Sequence, residues 1–246
     1  MGQVLAVTSG KGGTGKTTLC AALACCLAAE GQRVLCIDGD VGLRNLDIYL
    51  GMAELAPISF VDVLENRYPL TAACPHPEIP GLYLLTSPVA DRPGEIAFRD
   101  FGLMLQQARE QFDFCLIDSP AGLGDGFRLC TMFADRILVV AAPDPASMRD
   151  ASCVAEQLAL CGKTDVKLIV NRVTRKLFRR LKLTLDDVMD SIGLSLIGII
   201  PEDQNVVLAA AANRPLVLYT DQGAALGCLH IARRLCGRRV PLLYSR

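Results

Sequence analysis

The sequence predicts an α/β fold, in which a mostly parallel, twisted sheet carries helices on both faces. Short, nearly continuous apolar runs alternate along the chain with longer segments of helical pattern. Such runs are typical of strands covered on both faces, and a regular strand–helix succession favours parallel pairing. The 246 residues contain no linker rich in Pro, Gly or Ser and no repeat. We therefore expect one domain over residues 1–246.

The apolar runs mark seven candidate strands, and three of the helices between them have recognisable starts. Ser or Thr followed three residues later by Asp resembles a capping box, and it occurs at Ser59 with Asp62 and at Thr184 with Asp187. Asp144 offers a cap followed by proline at the first helical position. The predicted strands cover residues 4–8, 34–38, 82–86, 114–118, 137–141, 166–171 and 196–200.

The composition excludes several classes of protein. A hydrophobic content of 51% provides enough apolar material for a packed core, so the chain is neither disordered nor fibrous. The net charge of -1 provides no overall field that would drive binding to nucleic acid or membrane. The longest stretch without a charged residue, 17–29, is too short to span a bilayer, and the N-terminus lacks the pattern of an export signal. We expect a cytoplasmic protein without a transmembrane segment.

The eleven cysteines are interpreted as small core residues. None are spaced as Cys-x-x-Cys, and several fall in apolar strands or in an Ala-rich helical pattern. In a reducing compartment a buried thiol behaves as a small hydrophobe. An iron–sulfur or zinc site is the alternative, and the spacing of its ligands is missing.

A glycine-rich loop after the first strand carries the clearest chemical signal. Its spacing matches Gly-x-x-x-x-Gly-Lys-Ser/Thr between a strand and a helix, the pattern of the P-loop NTPase fold. Backbone N–H groups and the helix N-terminus would surround phosphate oxygens. We expect Lys16 to reach the β- and γ-phosphates, Thr17 to ligate Mg²⁺ and Thr18 to hold the α-phosphate. The predicted binding residues are Gly10, Lys11, Gly12, Gly13, Thr14, Gly15, Lys16, Thr17 and Thr18.

Three carboxylates follow two of the predicted strands beside this loop. Asp38 ends the second strand, Asp40 lies two residues further on, and Asp118 ends the fourth. Carboxylates at strand ends suit a Mg²⁺ shell in this fold. We expect Asp38 and Asp118 to support the metal and Asp40 to orient the attacking water. The alternative is that these side chains only cap turns.

The motifs together resemble the MinD/ParA family of deviant Walker A ATPases, over nearly the whole chain to about residue 236. SGKGGTGKTT at 9–18 carries the family's signature lysine at Lys11, and DGDVGLRNLD at 38–47 resembles the MinD branch more than the ParA branch. The other matching segments are DSPAGL at 118–123, Asn171 with Arg172, and IGIIPEDQ at 197–204.

The resemblance implies roles for several of these residues. Two subunits would sandwich ATP, with Lys11 reaching into the partner's site to stabilise phosphate charge. Together with Lys11, Lys16 and Asp40 are the catalytic residues that the resemblance implies. The adenine pocket would be lined by Asn171, Arg172, Pro201, Glu202 and Asp203. The stretch 147–150 is implied as part of a partner surface.

The function implied is Mg²⁺-dependent ATP hydrolysis, slow without a partner, in a protein that positions the cell-division site. In the family the ATP-bound dimer binds membrane and recruits the division inhibitor MinC, while MinE, where present, stimulates hydrolysis. The alternative within the fold is a ParA-like or flagellar-placement ATPase that binds DNA or other cargo. Two further alternatives belong to other functional classes. They are an electron-transfer ATPase similar to the nitrogenase iron protein, and a synthetase that phosphorylates a carboxylate.

One basic segment is the candidate for a peripheral membrane contact at the inner face of the cell membrane. MinD proteins usually end in a basic amphipathic helix, whereas here Pro241 interrupts the tail. Residues 172–183 contain six basic side chains, and a helix there would carry an apolar stripe beside Phe178. The alternatives are a solvated loop whose leucines pack back onto the sheet, and a contact with DNA phosphates. The basic side chains are Arg172, Arg175, Lys176, Arg179, Arg180 and Lys182.

Overall fold

The computed structural model describes residues 1–55, 57–88 and 96–243. Its strands form one sheet in which every neighbouring pair is parallel except the short antiparallel pair at one edge. The strands are β1 (Gln3–Thr8), β2 (Val34–Asp38), β3 (Cys74–Pro75), β4 (Leu82–Leu85), β5 (Phe114–Asp118), β6 (Arg136–Ala141), β7 (Val166–Val173) and β8 (Ser195–Pro201). Their order across the sheet is β3-β4-β2-β5-β1-β6-β7-β8.

Helices connect the strands, and their lengths range from one turn to more than four turns. A short 3₁₀ turn at Leu70–Ala72 precedes β3. The helices are α1 (Lys16–Ala29), α2 (Leu46–Tyr49), α3 (Phe60–Leu64), α4 (Phe98–Gln111), α5 (Asp125–Met132), α6 (Pro145–Leu160), α7 (Arg175–Leu181), α8 (Leu185–Ile192), α9 (Asn205–Ala211), α10 (Leu216–Tyr219) and α11 (Gly223–Leu235).

The predicted α/β class and parallel sheet are confirmed, with one strand missed. All seven predicted strands are present, and the bounds of β2 and β5 are those predicted. The prediction of residue 86 in a strand was wrong, because β4 ends at Leu85 and Thr86 forms only an isolated bridge with Ser59. The missed strand β3 has two residues, one of them Pro75, and therefore lacks any apolar run that a sequence pattern could detect.

The predicted helix starts are also confirmed. Ser59 and Asp62 form a reciprocal capping box at α3, and Thr184 with Asp187 forms another at α8. Asp144 caps α6, where proline occupies the first helical position. Each cap satisfies backbone N–H groups that a helix leaves unpaired at its first turn.

Two apolar layers cover the two faces of the sheet. On one face α1 and α11 pack side by side, and α1 is buried almost throughout, as its all-round apolar sequence requires. On the other face lie α3 to α8. Most of the cysteines are buried, whereas Cys74 and Cys236 are partly buried and Cys153 and Cys161 are exposed. In the described part of the chain, no three His, Cys, Asp or Glu side chains form a metal-binding group.

The segment 172–183 departs from the predicted membrane-facing helix. Helix α7 ends at Leu181 because Lys182 adopts a left-handed conformation, with φ of 50°. Phe178 is only 3% exposed and packs into the layer beneath, so its predicted place in an apolar surface stripe was wrong. Leu181 is exposed, and so are the six basic side chains. Among the described residues no helix is both long enough and apolar enough to cross a bilayer.

Candidate functional site

The glycine-rich loop lies at the carboxyl edge of the sheet, between the end of β1 and the start of α1. Gly15 stands directly before the helix with φ of 89°, and a Cβ at this position would collide with the amide of Asn171. Glycine is therefore required by both conformation and space. The first turn of α1 has no side-chain cap and no acidic residue, so its N–H groups are available to an anion.

Lys16 and Asp118 form a buried ion pair beneath this loop. The Lys16 Nζ lies 3.0 Å from Asp118 Oδ1, and the two side chains are 8% and 1% exposed. The Thr17 hydroxyl is 3.5 Å from the same Nζ. Burial raises the pKa of the Asp118 carboxyl to about 6, although the Lys16 ammonium opposes that shift. An anion bound on the loop would give Lys16 a second negative group to contact.

Asp38 is tied down by backbone N–H groups. Its carboxylate accepts hydrogen bonds from the amides of Asp40, Asn45 and Leu46 at 3.0 to 3.1 Å, and thereby fixes the loop between β2 and α2. Burial raises the pKa of the Asp38 carboxyl, and these N–H bonds oppose the shift. The capping role that the sequence left open is therefore present at Asp38. Asp40 is half-buried, and its carboxylate has no hydrogen-bond partner in the described ranges.

Two of the predicted metal-binding residues lie side by side at the ends of β2 and β5. Asp38 and Asp118 are direct neighbours in the register of β2 with β5, and Lys16 Nζ donates to both Asp118 and the Thr17 hydroxyl. Two buried carboxylates side by side repel each other, and a divalent cation would remove that cost. Carboxylate and hydroxyl oxygens are the ligands that Mg²⁺ prefers, usually together with water.

A second cleft beside the start of α1 collects the residues predicted for the base. The Asn171 amide donates from Nδ2 to the Thr14 carbonyl at 2.7 Å, while its Oδ1 accepts the Arg172 N–H. The two carboxylate oxygens of Asp203 accept hydrogen bonds from the N–H groups of Asn205 and Ala224. Asp203 therefore caps the first turns of α9 and α11 at the edge of this cleft. The residues lining the cleft include Gly15, Thr18, Asn171, Arg172, Pro201, Glu202 and Asp203.

Lys11 has a partner that the sequence analysis did not identify. Its Nζ lies 3.1 Å from Asp144 Oδ1, and the two side chains are 36% and 44% exposed. Sequence spacing could not reveal this contact, because 133 residues separate the pair. The topology does reveal it, because β1 and β6 are neighbours in the sheet and the loops that follow them meet at one edge.

The arrangement suits a phosphorylated ligand bound with a divalent cation. The remaining predicted residues, Gly10, Gly12 and Gly13, lie in the same loop. The Thr14 hydroxyl is buried and has no hydrogen-bond partner in the part of the chain that the structure describes, as a group awaiting a phosphate oxygen would be. The site thus places lysine, backbone N–H groups and oxygen ligands around one loop.

Known proteins resemble this chain over almost its full length. A family model for the CobQ/CobB/MinD/ParA nucleotide binding domain matches residues 5–216. The septum site-determining protein MinD of Thermotoga maritima is 36% identical over 246 residues, covering 98% of this chain and 91% of that protein.

Solved structures agree with these matches. A chain of the MinC:MinD cell division protein complex of Aquifex aeolicus superimposes with a TM-score of 0.89 at 36% identity, covering 98% of each chain. The septum site-determining protein MinD complexed with Mg-ADP from Pyrococcus horikoshii gives 0.83 at 26% identity, covering 96% of each. The resemblance noted in the motifs is confirmed, and the chain belongs to the CobQ/CobB/MinD/ParA family of nucleotide-binding proteins.

Proposed function

We propose that this protein is a MinD-type ATPase that positions the cell-division site. It binds ATP with Mg²⁺, pairs with a second copy of itself, and in that state recruits a MinC-like division inhibitor. The similarity to a chain of a MinC:MinD complex, at 36% identity over 98% of the chain, supports this function over others of the same fold. Hydrolysis is slow in the protein alone and is accelerated by a MinE-like or other activator.

The residues of the loop divide the binding task. The Lys16 ammonium, which pairs with Asp118, also contacts the β- and γ-phosphates. The backbone N–H groups from Gly10 to Thr18 surround the phosphate oxygens. Thr17, Asp38 and Asp118 hold Mg²⁺, which neutralises phosphate charge when bound. Asp40, whose carboxylate has no hydrogen-bond partner among the described residues, orients the attacking water.

The adenine occupies the cleft beside α1. Asn171 and Arg172 form one wall, and the chain at Pro201, Glu202 and Asp203 forms the other. Because Asn171 also donates to the Thr14 carbonyl, the wall of the cleft and the phosphate loop are held at a fixed distance from each other. That connection places the base and the phosphates of one nucleotide together.

The observation that carries the proposal is the contrast between two lysines of one loop. The Lys16 side chain is 8% exposed and confined to its own site, whereas the Lys11 side chain is 36% exposed. A long, flexible ammonium at the surface of a phosphate loop can reach a phosphate held by another molecule. Lys11 therefore acts across the interface of an ATP-bound dimer.

The test is Lys11→Ala, compared with the wild type and with Lys176→Ala, which removes an exposed lysine on α7. Loss of one charge-assisted contact to phosphate costs roughly 2–4 kcal/mol of transition-state stabilisation, or about 30- to 800-fold in rate. We expect Lys11→Ala to remain monomeric with ATP in light scattering and to hydrolyse little. Equal dimer populations for Lys11→Ala and the wild type would contradict the proposal.

A ParA-like or flagellar-placement ATPase that binds DNA or other cargo is the less favoured alternative. The run GLRNLD at 42–47 resembles MinD, and the relative from Thermotoga maritima that matches 98% of the chain is a MinD protein. Co-sedimentation with liposomes and with DNA, each in ATP and in ADP, separates the two functions. Binding to DNA alone in the ATP state would favour the alternative.

The protein resides in the cytoplasm and contacts the inner face of the membrane peripherally. Since Phe178 is buried, the contact made by residues 172–183 is electrostatic, between exposed basic side chains and anionic headgroups. Two copies in an ATP-bound dimer double the number of such contacts, so membrane binding follows the nucleotide state.

A further inference from the structure

A single carboxylate oxygen holds both the signature lysine and the start of α6. Asp144 Oδ1 accepts a hydrogen bond from Lys11 Nζ at 3.1 Å and another from the Ser147 N–H at 2.9 Å. Among the described residues, Asp144 is the one carboxylate within ion-pair distance of Lys11. The side chain proposed to act on a partner's nucleotide is therefore held within its own subunit here.

The backbone that precedes Lys11 packs against α6, whereas the Lys11 side chain is 36% exposed. A Cβ at Gly10 would lie 2.5 Å from the backbone oxygen of Asp150, which shows how closely the loop packs on the first turns of α6. The Ser9 hydroxyl donates to the Lys11 carbonyl at 2.9 Å. A change of partner for Lys11 therefore has to come from rotation of its own long side chain.

Lys11 cannot favourably serve Asp144 and a phosphate together. An ammonium has three N–H donors and could contact both groups in geometric terms. Sharing would place the Asp144 carboxylate next to a triphosphate, however, and like charges at such distances repel. The contact with Asp144 and the contact with the partner's phosphates are therefore alternatives.

We propose that Asp144 is a positioning residue that retains Lys11 in its own subunit and thereby raises the Kd of the ATP-bound dimer. The inference rests on the proposed action of Lys11 across the interface. Two such ion pairs open when one dimer forms, one in each subunit. Asp144 keeps its bond to the Ser147 N–H after Lys11 leaves, so α6 remains capped in both states.

The decisive variant is Asp144→Asn, because asparagine is as good a helix cap as aspartate but carries no charge. A half-exposed ion pair is worth a factor of about 1.4 to 5 in an equilibrium constant, and two open for each dimer. We expect Asp144→Asn to dimerise with a Kd lower than that of the wild type by about 2- to 25-fold. The difference should shrink as salt screens the pair in the wild type.

The experiment measures dimer dissociation constants by light scattering with a non-hydrolysable ATP analogue at low and at high salt. Asp186→Asn, which removes an exposed carboxylate on α8, is the control and should match the wild type. Damage to the fold would weaken pairing, so tighter pairing separates the proposed restraint from a merely structural role. A Kd for Asp144→Asn equal to or higher than that of the wild type overturns the inference.

Failure of the proposed function gives a different result. If the wild type stays monomeric with the ATP analogue at every concentration, the proposal that Lys11 acts across an interface is wrong. The proposed role of Asp144 is then wrong as well. If the wild type dimerises and Lys11→Ala does not, the function stands, and Asp144→Asn alone decides whether Asp144 restrains the lysine.

Discussion

Asp38 ends β2 and Asp40 lies two residues beyond it, but the two carboxylates have different surroundings. Asp38 is buried, and three backbone amides occupy its carboxylate, which fixes it in place. Asp40 keeps its carboxylate unpartnered among the described residues. A group that orients water needs free acceptor positions, and of these two residues only Asp40 retains them in full.

Replacing Asp40 should therefore reduce hydrolysis without reducing nucleotide binding. We expect Asp40→Ala to lower the ATPase rate roughly 10²-fold or more, since positioned acid–base and water-orienting groups contribute on that scale. Its affinity for Mg-ATP should stay within a few-fold of the wild type. Asp125→Ala, which removes a 93% exposed carboxylate at the same edge of the sheet, serves as the control. An unchanged ATPase rate for Asp40→Ala would show that the role belongs to another group.

The surroundings of the His76 side chain determine its protonation state. Its Nε2 lies 2.8 Å from the Leu50 carbonyl, and its Nδ1 accepts the N–H groups of Glu78 and Ile79 at 3.0 Å. The ring is therefore neutral, with its proton on Nε2. Burial lowers the pKa of His76, while the Leu50 carbonyl and Glu78 oppose that shift.

Acidification should weaken the fold through His76. Because the folded pKa is below the ordinary value of about 6.5, the unfolded chain binds more protons in that range, and stability falls as pH drops below about 6.5. The slope is at most about 1.4 kcal/mol per pH unit. Urea unfolding at pH 7.5 and pH 5.5 should show a smaller loss in His76→Gln than in the wild type. Equal losses in the two proteins would assign the pH dependence to other groups.

At the scale of elements, α7 shows how a correct helix can present a different face from the one predicted. The sequence left a helix and a solvated loop open for this segment, and the structure has a helix over Arg175–Leu181. The direction of Phe178 depended on where the helix begins and ends, which Thr174 and the left-handed Lys182 determine. A seven-residue helix has too few turns for its periodicity to fix its orientation.

Charge reversal on α7 tests the electrostatic contact with membrane. The double variant Arg179→Glu with Arg180→Glu should lose at least about 2 kcal/mol of binding to anionic vesicles, roughly 30-fold, in sedimentation with ATP. Arg99→Glu with Arg128→Glu changes net charge equally on α4 and α5, and should bind as the wild type does. Equal binding by both double variants would place the membrane contact elsewhere.

Across the whole molecule, features that are contiguous in sequence could be predicted and those built by topology could not. The phosphate loop, the central strands and the capping boxes each lie within a few residues, so their patterns survive in one sequence. The contact of Lys11 with Asp144 and that of Asn171 with Thr14 join segments more than 130 residues apart. Only the order of strands in the sheet brings them together, and that order is not readable from local patterns.

The central place of β1 in the sheet has a consequence for how the protein is made. The strand that leads into the phosphate loop is synthesised before its partners β5 and β6, and its loop is tied to Asn171, which lies 157 residues beyond Thr14. On the ribosome β1 therefore has neither of its strand partners until residues 114–118 of β5 have emerged. A nascent chain therefore gains the complete nucleotide site only after β8 and the residues up to Asp203 have left the exit tunnel.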